Sequence, residues 1–208
     1  LSNRVKTLGQ SITIAISTKA KQMKAQGQDV VILSAGEPDF DTAEVAKKAA
    51  AEAMARGCGK YTPIAGMPET LSAIAQKLKR DNGLNYAPQQ IITNAGAKHS
   101  LFNAFSCILN EGDEVIVPAP YWVTYPEIVK FCGGRAVIVS AKPENNYKIT
   151  ANQLKAAITP RTKALCLCNP SNPAGAVYSR EELQGLVEAL KGSEILVVAD
   201  EIYEKIVY

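Results

Sequence analysis

Between residues 90 and 200 the apolar positions alternate between two rhythms. Short continuous runs, QIIT at 90–93, EVIVP at 114–118, AVIV at 136–139, ALCLC at 164–168 and EILVVAD at 194–200, have the length and β-branched content of buried strands. Between them apolar residues return every three or four positions. Leu101, Phe102, Phe105, Ile108 and Leu109 predict a helix over 98–109, and 122–131 forms a second. Thr150 with Gln153, and Ser179 with Glu182, have capping-box spacing, each opening a further helix; Leu183, Leu186, Val187 and Leu190 follow the second at helical period. Such alternation predicts an α/β fold with a mainly parallel sheet and helices on both faces.

The first 90 residues are less regular. A helix is predicted over 12–26 with Gly27 as its stop, then a short strand VVIL at 30–33. Asp41 and Glu44 have N-cap and N3 spacing ahead of an alanine-rich helix ending at Gly57. In MPETLSAIAQKLKRDNG, Pro68 lies in the first turn of another helix, with Leu71, Ile74, Ala75 and Leu78 on one face.

Composition changes this picture little. The 208 residues are 47% apolar and 21% charged, with a net charge of +3, ordinary for a globular protein and too weak to imply nucleic acid. No apolar stretch approaches the roughly 18–20 residues that cross a bilayer. The amino end lacks the features of a signal peptide, so a cytoplasmic protein without membrane association is expected. Five cysteines at irregular spacing with one histidine form no metal pattern and are expected to be buried, reduced thiols.

In open α/β sheets ligands bind beyond the carboxyl ends of the strands, so the residues after each run are the ones to search. They are 34–36, 94–98, 118–122, 169–175 and 200–203. In NAGAKHS (94–100) a strand meets a helix through Gly96 and Ala97, whose small size lets a phosphate approach free N–H groups; a plain structural turn is the alternative. In CNPSNPAGAVYS (168–179) two Asn-Pro pairs could aim the amide of Asn172 at the rim, or merely form a proline-rich turn. Asp200, ending an apolar run, needs a cation or a donor: a protonated ring nitrogen, or a helix cap or ion pair. Tyr203 could donate to a ring hydroxyl, and Trp122 could stack on a flat ring or pack in the core. Together these groups describe a socket for pyridoxal 5′-phosphate (PLP), with the carboxylate keeping the ring an electron sink.

Six segments carry a closer likeness: SAGEPDFDT (34–42), KYTPIAGMPE (60–69), NAGAKHSLFNAF (94–105), EGDEVIVPAPYWVTYPE (111–127), NPSNPAGAVYS (169–179) and ADEIYE (199–204). In family order, they resemble the N-terminal half of class I aminotransferases of the aspartate aminotransferase family, PLP enzymes of fold type I. The resemblance implies that residues 1–35 are an arm and helix of the small domain and that 36–208 are part of the large PLP-binding domain. It implies a phosphate loop of Gly96, Ala97 and Lys98, stacking by Trp122, ring-oxygen contacts from Asn172 and Tyr203, and electrostatic support of the ring nitrogen by Asp200. Tyr61 would reach the phosphate of a neighbouring subunit, so the unit would be a homodimer. Gly36, Trp122, Asn172 and Lys98 would meet the substrate, with Lys98 selecting a distal carboxylate unless it is simply an exposed lysine.

Amino-acid and 2-oxo-acid substrates follow from the same resemblance, with transfer between aspartate and 2-oxoglutarate. A prephenate or aromatic aminotransferase and a non-catalytic ligand-binding or dimerisation module are the alternatives. Two positions depart from the pattern: Ala174 stands where a threonine is usual, and His99 where a glutamine is frequent and a surface or packing role is expected. No lysine here matches the family's Schiff-base lysine, which lies beyond the position of Tyr208. The chain is therefore expected to be a fragment, inactive by itself.

Overall fold

The computed structural model describes residues 1–9, 12–34, 36 and 38–208, with the side chain of residue 12 also outside the description. Ala35 of the 34–36 rim segment thus lies outside the described residues. The elements in chain order are α1 (Asn3–Lys6), α2 (Ile12–Ala25), α3 (Glu44–Ala55), α4 (Pro68–Asn82), α5 (Ala97–Ile108), β1 (Glu114–Ala119), α6 (Thr124–Phe131), β2 (Arg135–Ser140), α7 (Ala151–Ala157), β3 (Thr162–Cys168), α8 (Arg180–Leu190) and β4 (Leu196–Asp200). They form two compact units: Leu1–Gly9 with Ala95–Tyr208, and Gln10–Asn94.

The first unit is built on a parallel sheet in the order β2-β1-β3-β4. Strand residues alternate between two cores, as a period of two requires. Val115 and Val117 of β1 and Ala164 and Cys166 of β3 join Leu101, Phe105 and Leu109 from the α5 segment, and Tyr125, Ile128 and Val129 of α6. Ile116, Leu165 and Leu167 face the other way, onto Leu154 of α7, Leu186 of α8, Ile149 and Tyr178. Helices therefore cover both faces, as the pattern predicts.

Both later capping boxes form. Thr150 Oγ1 accepts from Gln153 N at 3.2 Å, and Gln153 Oε1 from Thr150 N at 2.9 Å. Ser179 Oγ accepts from Glu182 N at 3.2 Å, and Glu182 Oε2 from Ser179 N at 2.7 Å. Lys148 also grips the Glu182 carboxylate at 2.6 Å and, with the cap, holds it below the usual carboxylate range. Residues 1–9 lie along α6: Gly9 N donates to Glu127 Oε2 at 3.0 Å, and Lys130 Nζ donates to Thr7 O.

In the second unit α4 follows its pattern, opening at Pro68, burying Leu71 and ending on Gly83 at φ 68°. Three expectations differ. Residues 30–33 and 90–93 are not strands: Gln90 closes a short 3-10 turn, and Val31 and Leu33 are 79% and 90% exposed. A strand needs a ladder of hydrogen bonds to a neighbouring strand, and among the described residues neither run pairs with one; Thr93 N donates to Ala65 O at 2.8 Å, a single link rather than a ladder. The Asp41–Glu44 pair does not cap: α3 starts at Glu44 after Ala43, which offers no side-chain acceptor, so Asp41 lies ahead of the first turn. The cysteines are free as expected, but only Cys166 is buried; Cys58 and Cys107 are exposed. Among the described residues no helix is long and apolar enough to cross a membrane.

Candidate functional site

The carboxyl ends of β1, β3 and β4 and the start of α5 deliver most of the sequence-expected residues to the first unit. Asp200 is the last residue of β4. The strand itself is half open, with Leu196 and Val197 each 51% exposed, yet Asp200 is only 8% exposed. Parallel pairing fixes its height, since Cys168 of β3 lies opposite. Asp200 O accepts from Asn169 N at 3.0 Å, tying the strand end to the loop that carries Asn172.

Among the described residues the Asp200 carboxylate takes two hydrogen bonds: Oδ2 from the Tyr125 hydroxyl at 2.7 Å, and Oδ1 from Ile202 N at 3.2 Å. No salt bridge reaches it among the described residues. A buried carboxylate with only neutral donors is held charged at a cost, unless a cation arrives from outside the chain.

The 169–175 loop is anchored so that Asn172 stays half-buried. Asn169 Oδ1 accepts from Tyr178 N at 3.0 Å, and Ser171 exchanges backbone bonds with Gly175 and Ala176 at 2.8 and 2.9 Å. The Asn169–Pro170, Asn172–Pro173 and Ala119–Pro120 peptide bonds are cis. Asn172 Nδ2 donates to the Tyr203 hydroxyl at 3.0 Å, so the amide and the phenol form one polar pair beyond the strand ends.

At the start of α5, Gly96 is the N-cap at φ 87°, ψ 164°, a conformation essentially confined to glycine. The helix leaves its first N–H groups without intrahelical partners, so Ala97 and Lys98 offer donors at the positive end of the helix. His99 is exposed and supports the turn, its Nδ1 accepting from Ala95 N at 3.3 Å. One groove is bordered by Ala97, Ser100 and Leu101 on one side and by Val198, Asp200 and Ile202 on the other, so the helix start and the carboxylate face a common space. Trp122 is half-buried, and the ammonium of Lys98 lies 5.0 Å from its ring centre. Gly36 and Tyr61 belong to the second unit, where both are exposed, Tyr61 completely.

Tyr125 was not among the sequence-expected residues. It is 2% exposed, donates to Asp200, and meets Trp122 edge-on at 5.4 Å and 82°. Burial, then the neighbouring Cys168 and Asp200, push its hydroxyl well above the usual phenol range, so it stays protonated. One signal was present in the sequence: a residue one helical turn after Trp122 faces the same way.

Comparison with known proteins gives the family. The family model for aminotransferase class I and II matches residues 28–208. The aspartate aminotransferase of Bacillus sp. strain YM-2 is 56% identical over all of this chain and 53% of its own length. The aspartate/prephenate aminotransferase of Thermus thermophilus is 48% identical over all of this chain and 54% of its own. In structure, the Thermus thermophilus aspartate aminotransferase with maleate superposes with a TM-score of 0.96 at 48% identity, covering 100% of this chain and 55% of that one. The chain spans about half the length of the curated relatives it matches. With a match from residue 28 onward on a doubly covered parallel sheet, the chain belongs to the aminotransferase class I and II family.

Proposed function

We propose that the whole protein is an aspartate-type aminotransferase that uses PLP to move an amino group between aspartate and 2-oxoglutarate. The family is PLP-dependent, and the observation that carries the reading here is the Asp200 carboxylate. It is buried, without a cation among the described residues, and shares a groove with a helix start. Those features fit a ligand with a protonated ring nitrogen at one end and a phosphate at the other. When bound, PLP supplies a cationic heteroaromatic ring that withdraws electrons from the amino acid's Cα.

The chain's own residues then have separable tasks. Asp200 holds a proton on the ring nitrogen by its charge. Asn172 and Tyr203 present their paired amide and phenol to the ring's hydroxyl oxygen. Gly96, Ala97 and Lys98 bind the phosphate through backbone N–H groups and the helix field. Trp122 offers a flat aromatic face to the ring. Gly36 and Asn172 serve the substrate α-carboxylate, and Lys98 the distal carboxylate. Maleate, a dicarboxylate, in the Thermus thermophilus structure supports acidic substrates. Tyr61 would reach a phosphate in the neighbouring subunit of a homodimer, and its full exposure supports that task. We assign the covalent role of the family's lysine to no residue of this chain, place residues 1–35 with the small domain, and infer a cytoplasmic location.

The test is turnover with aspartate and 2-oxoglutarate in the whole protein loaded with PLP. Asp200→Ala lowers kcat on the order of 10²–10³-fold while the fold survives; unchanged steady-state kinetics refute the role. Relatives named aspartate/prephenate aminotransferases favour a second reading, in which prephenate is also an amino acceptor. Rates with prephenate and glutamate decide between the two.

A further inference from the structure

The carboxylate at the centre of the site has one side-chain partner among the bonds described, and that partner is outside the set of residues assigned above. Tyr125 stands in the first turn of α6, its hydroxyl 2.7 Å from Asp200 Oδ2 and its ring edge-on to Trp122. The same side chain therefore touches both the carboxylate and the indole. Its ring is locked by the core around Ile128, Val129, Val117 and Cys166. It stays neutral because burial disfavours the phenolate, and the Cys168 thiol and Asp200 carboxylate beside it add to that. Burial likewise raises Cys168, whose Sγ donates to Pro170 O at 3.2 Å. Tyr125 is thus a fixed donor rather than a titrating group.

A hydrogen bond into a carboxylate stabilises its charged form and lowers its affinity for a further proton. We propose that Tyr125 is a positioning residue for the amino-transfer reaction: by donating to Oδ2 it holds the Asp200 carboxylate in the orientation that faces the PLP ring nitrogen, so that the proton shared between them stays on nitrogen. The inference rests on the reading of Asp200 given above. One proton is at stake and none is gained or lost. Without the phenol the carboxylate is free to turn, the shared proton moves along the hydrogen bond toward oxygen, and the ring loses its positive charge.

The experiment uses the whole protein reconstituted with PLP carrying nitrogen-15 in the ring, as wild type, Tyr125→Phe, Asp200→Asn and the double variant. Phenylalanine keeps the edge contact with Trp122 and removes only the hydroxyl. In Y125F the ring-nitrogen resonance moves from the pyridinium position toward the neutral one, and kcat falls roughly tenfold or more, the worth of one hydrogen bond to an ionised group. KM for aspartate changes little. In the D200N background the same substitution adds nothing, because Tyr125 acts through Asp200.

An unmoved resonance in Y125F, or effects that add in the double variant, overturns the proposal and leaves Tyr125 a packing residue. A D200N protein whose resonance and turnover match wild type overturns the Asp200 reading, and this inference with it. Should Y125F fail to fold, para-aminophenylalanine placed at position 125 keeps the shape and weakens the donor. The resonance must then move from the pyridinium position toward the neutral one, and an unchanged position refutes the proposal.

Discussion

Replacing Glu114 by glutamine tests what holds the amino end of the sheet, the end away from the candidate site. Glu114 opens β1 and is 0% exposed. Its carboxylate accepts from Thr159 Oγ1 at 2.7 Å, from Arg135 Nη2 at 2.6 Å, and from Arg161 Nε and Nη2 at 3.1 and 2.9 Å. Thr159 first, then the two guanidinium groups, hold its carboxyl at about 2 rather than 4.5, against the opposing effect of burial. A fall of that size corresponds to about 3 kcal/mol of preference for the charged form. Arg135 and Arg161 are 64% and 65% exposed. Solvent screening at those arginines reduces the expected loss in E114Q to about 1–2 kcal/mol at neutral pH.

The sign follows from the direction of the displacement. A lowered carboxyl contributes fully above 4.5, and its contribution drains away as pH falls from there toward about 2. Urea unfolding of wild type and E114Q between neutral pH and about pH 3 measures this, because glutamine does not titrate. The gap between the two proteins should be full at neutral pH and shrink below 4.5. A gap of constant size over that range, or none at neutral pH, would refute the reasoning.

Gly96→Ala should cost about 1–3 kcal/mol, because φ 87°, ψ 164° excludes a Cβ even though no atom lies within 4 Å of it. PLP titration should show weaker binding in the same variant, and wild-type affinity would remove Gly96 from the phosphate loop. Ser179→Ala removes the α8 cap and should lower stability by about 1 kcal/mol in thermal unfolding, with turnover unchanged; no loss would mean that Lys148 and Glu182 hold the helix start by themselves.

How far the chain could be read in advance depends on the range of the interaction involved. Capping boxes at Thr150 and Ser179, the αL stop at Gly83 and the two-sided alternation of Val115, Ile116 and Val117 involve residues a few positions apart, so spacing determined them. The rim was also legible: parallel strands all end on one side, so Asp200, Asn172 and Trp122 could be assigned to it from their positions after β4, β3 and β1, whereas Gly96 follows a run that forms no strand.

Partnership across the fold was not legible. VVIL and QIIT carry strand composition, but strand formation needs a neighbour, and local sequence does not say whether one is present. Asp41 and Glu44 satisfied a spacing rule while the chain entered its helix two residues after Asp41's expected cap position, at Ala43. Tyr125 meets Asp200 across 75 residues, and Glu114 collects Arg135 from the start of β2 and Thr159 and Arg161 from the approach to β3. The sequence by itself determined which elements form and which end of the sheet bears chemistry, because those follow from local periodicity and strand direction. Only the tertiary structure decided which neutral donor faces the buried carboxylate and which charges meet at the opposite end, because those contacts depend on strand order and register.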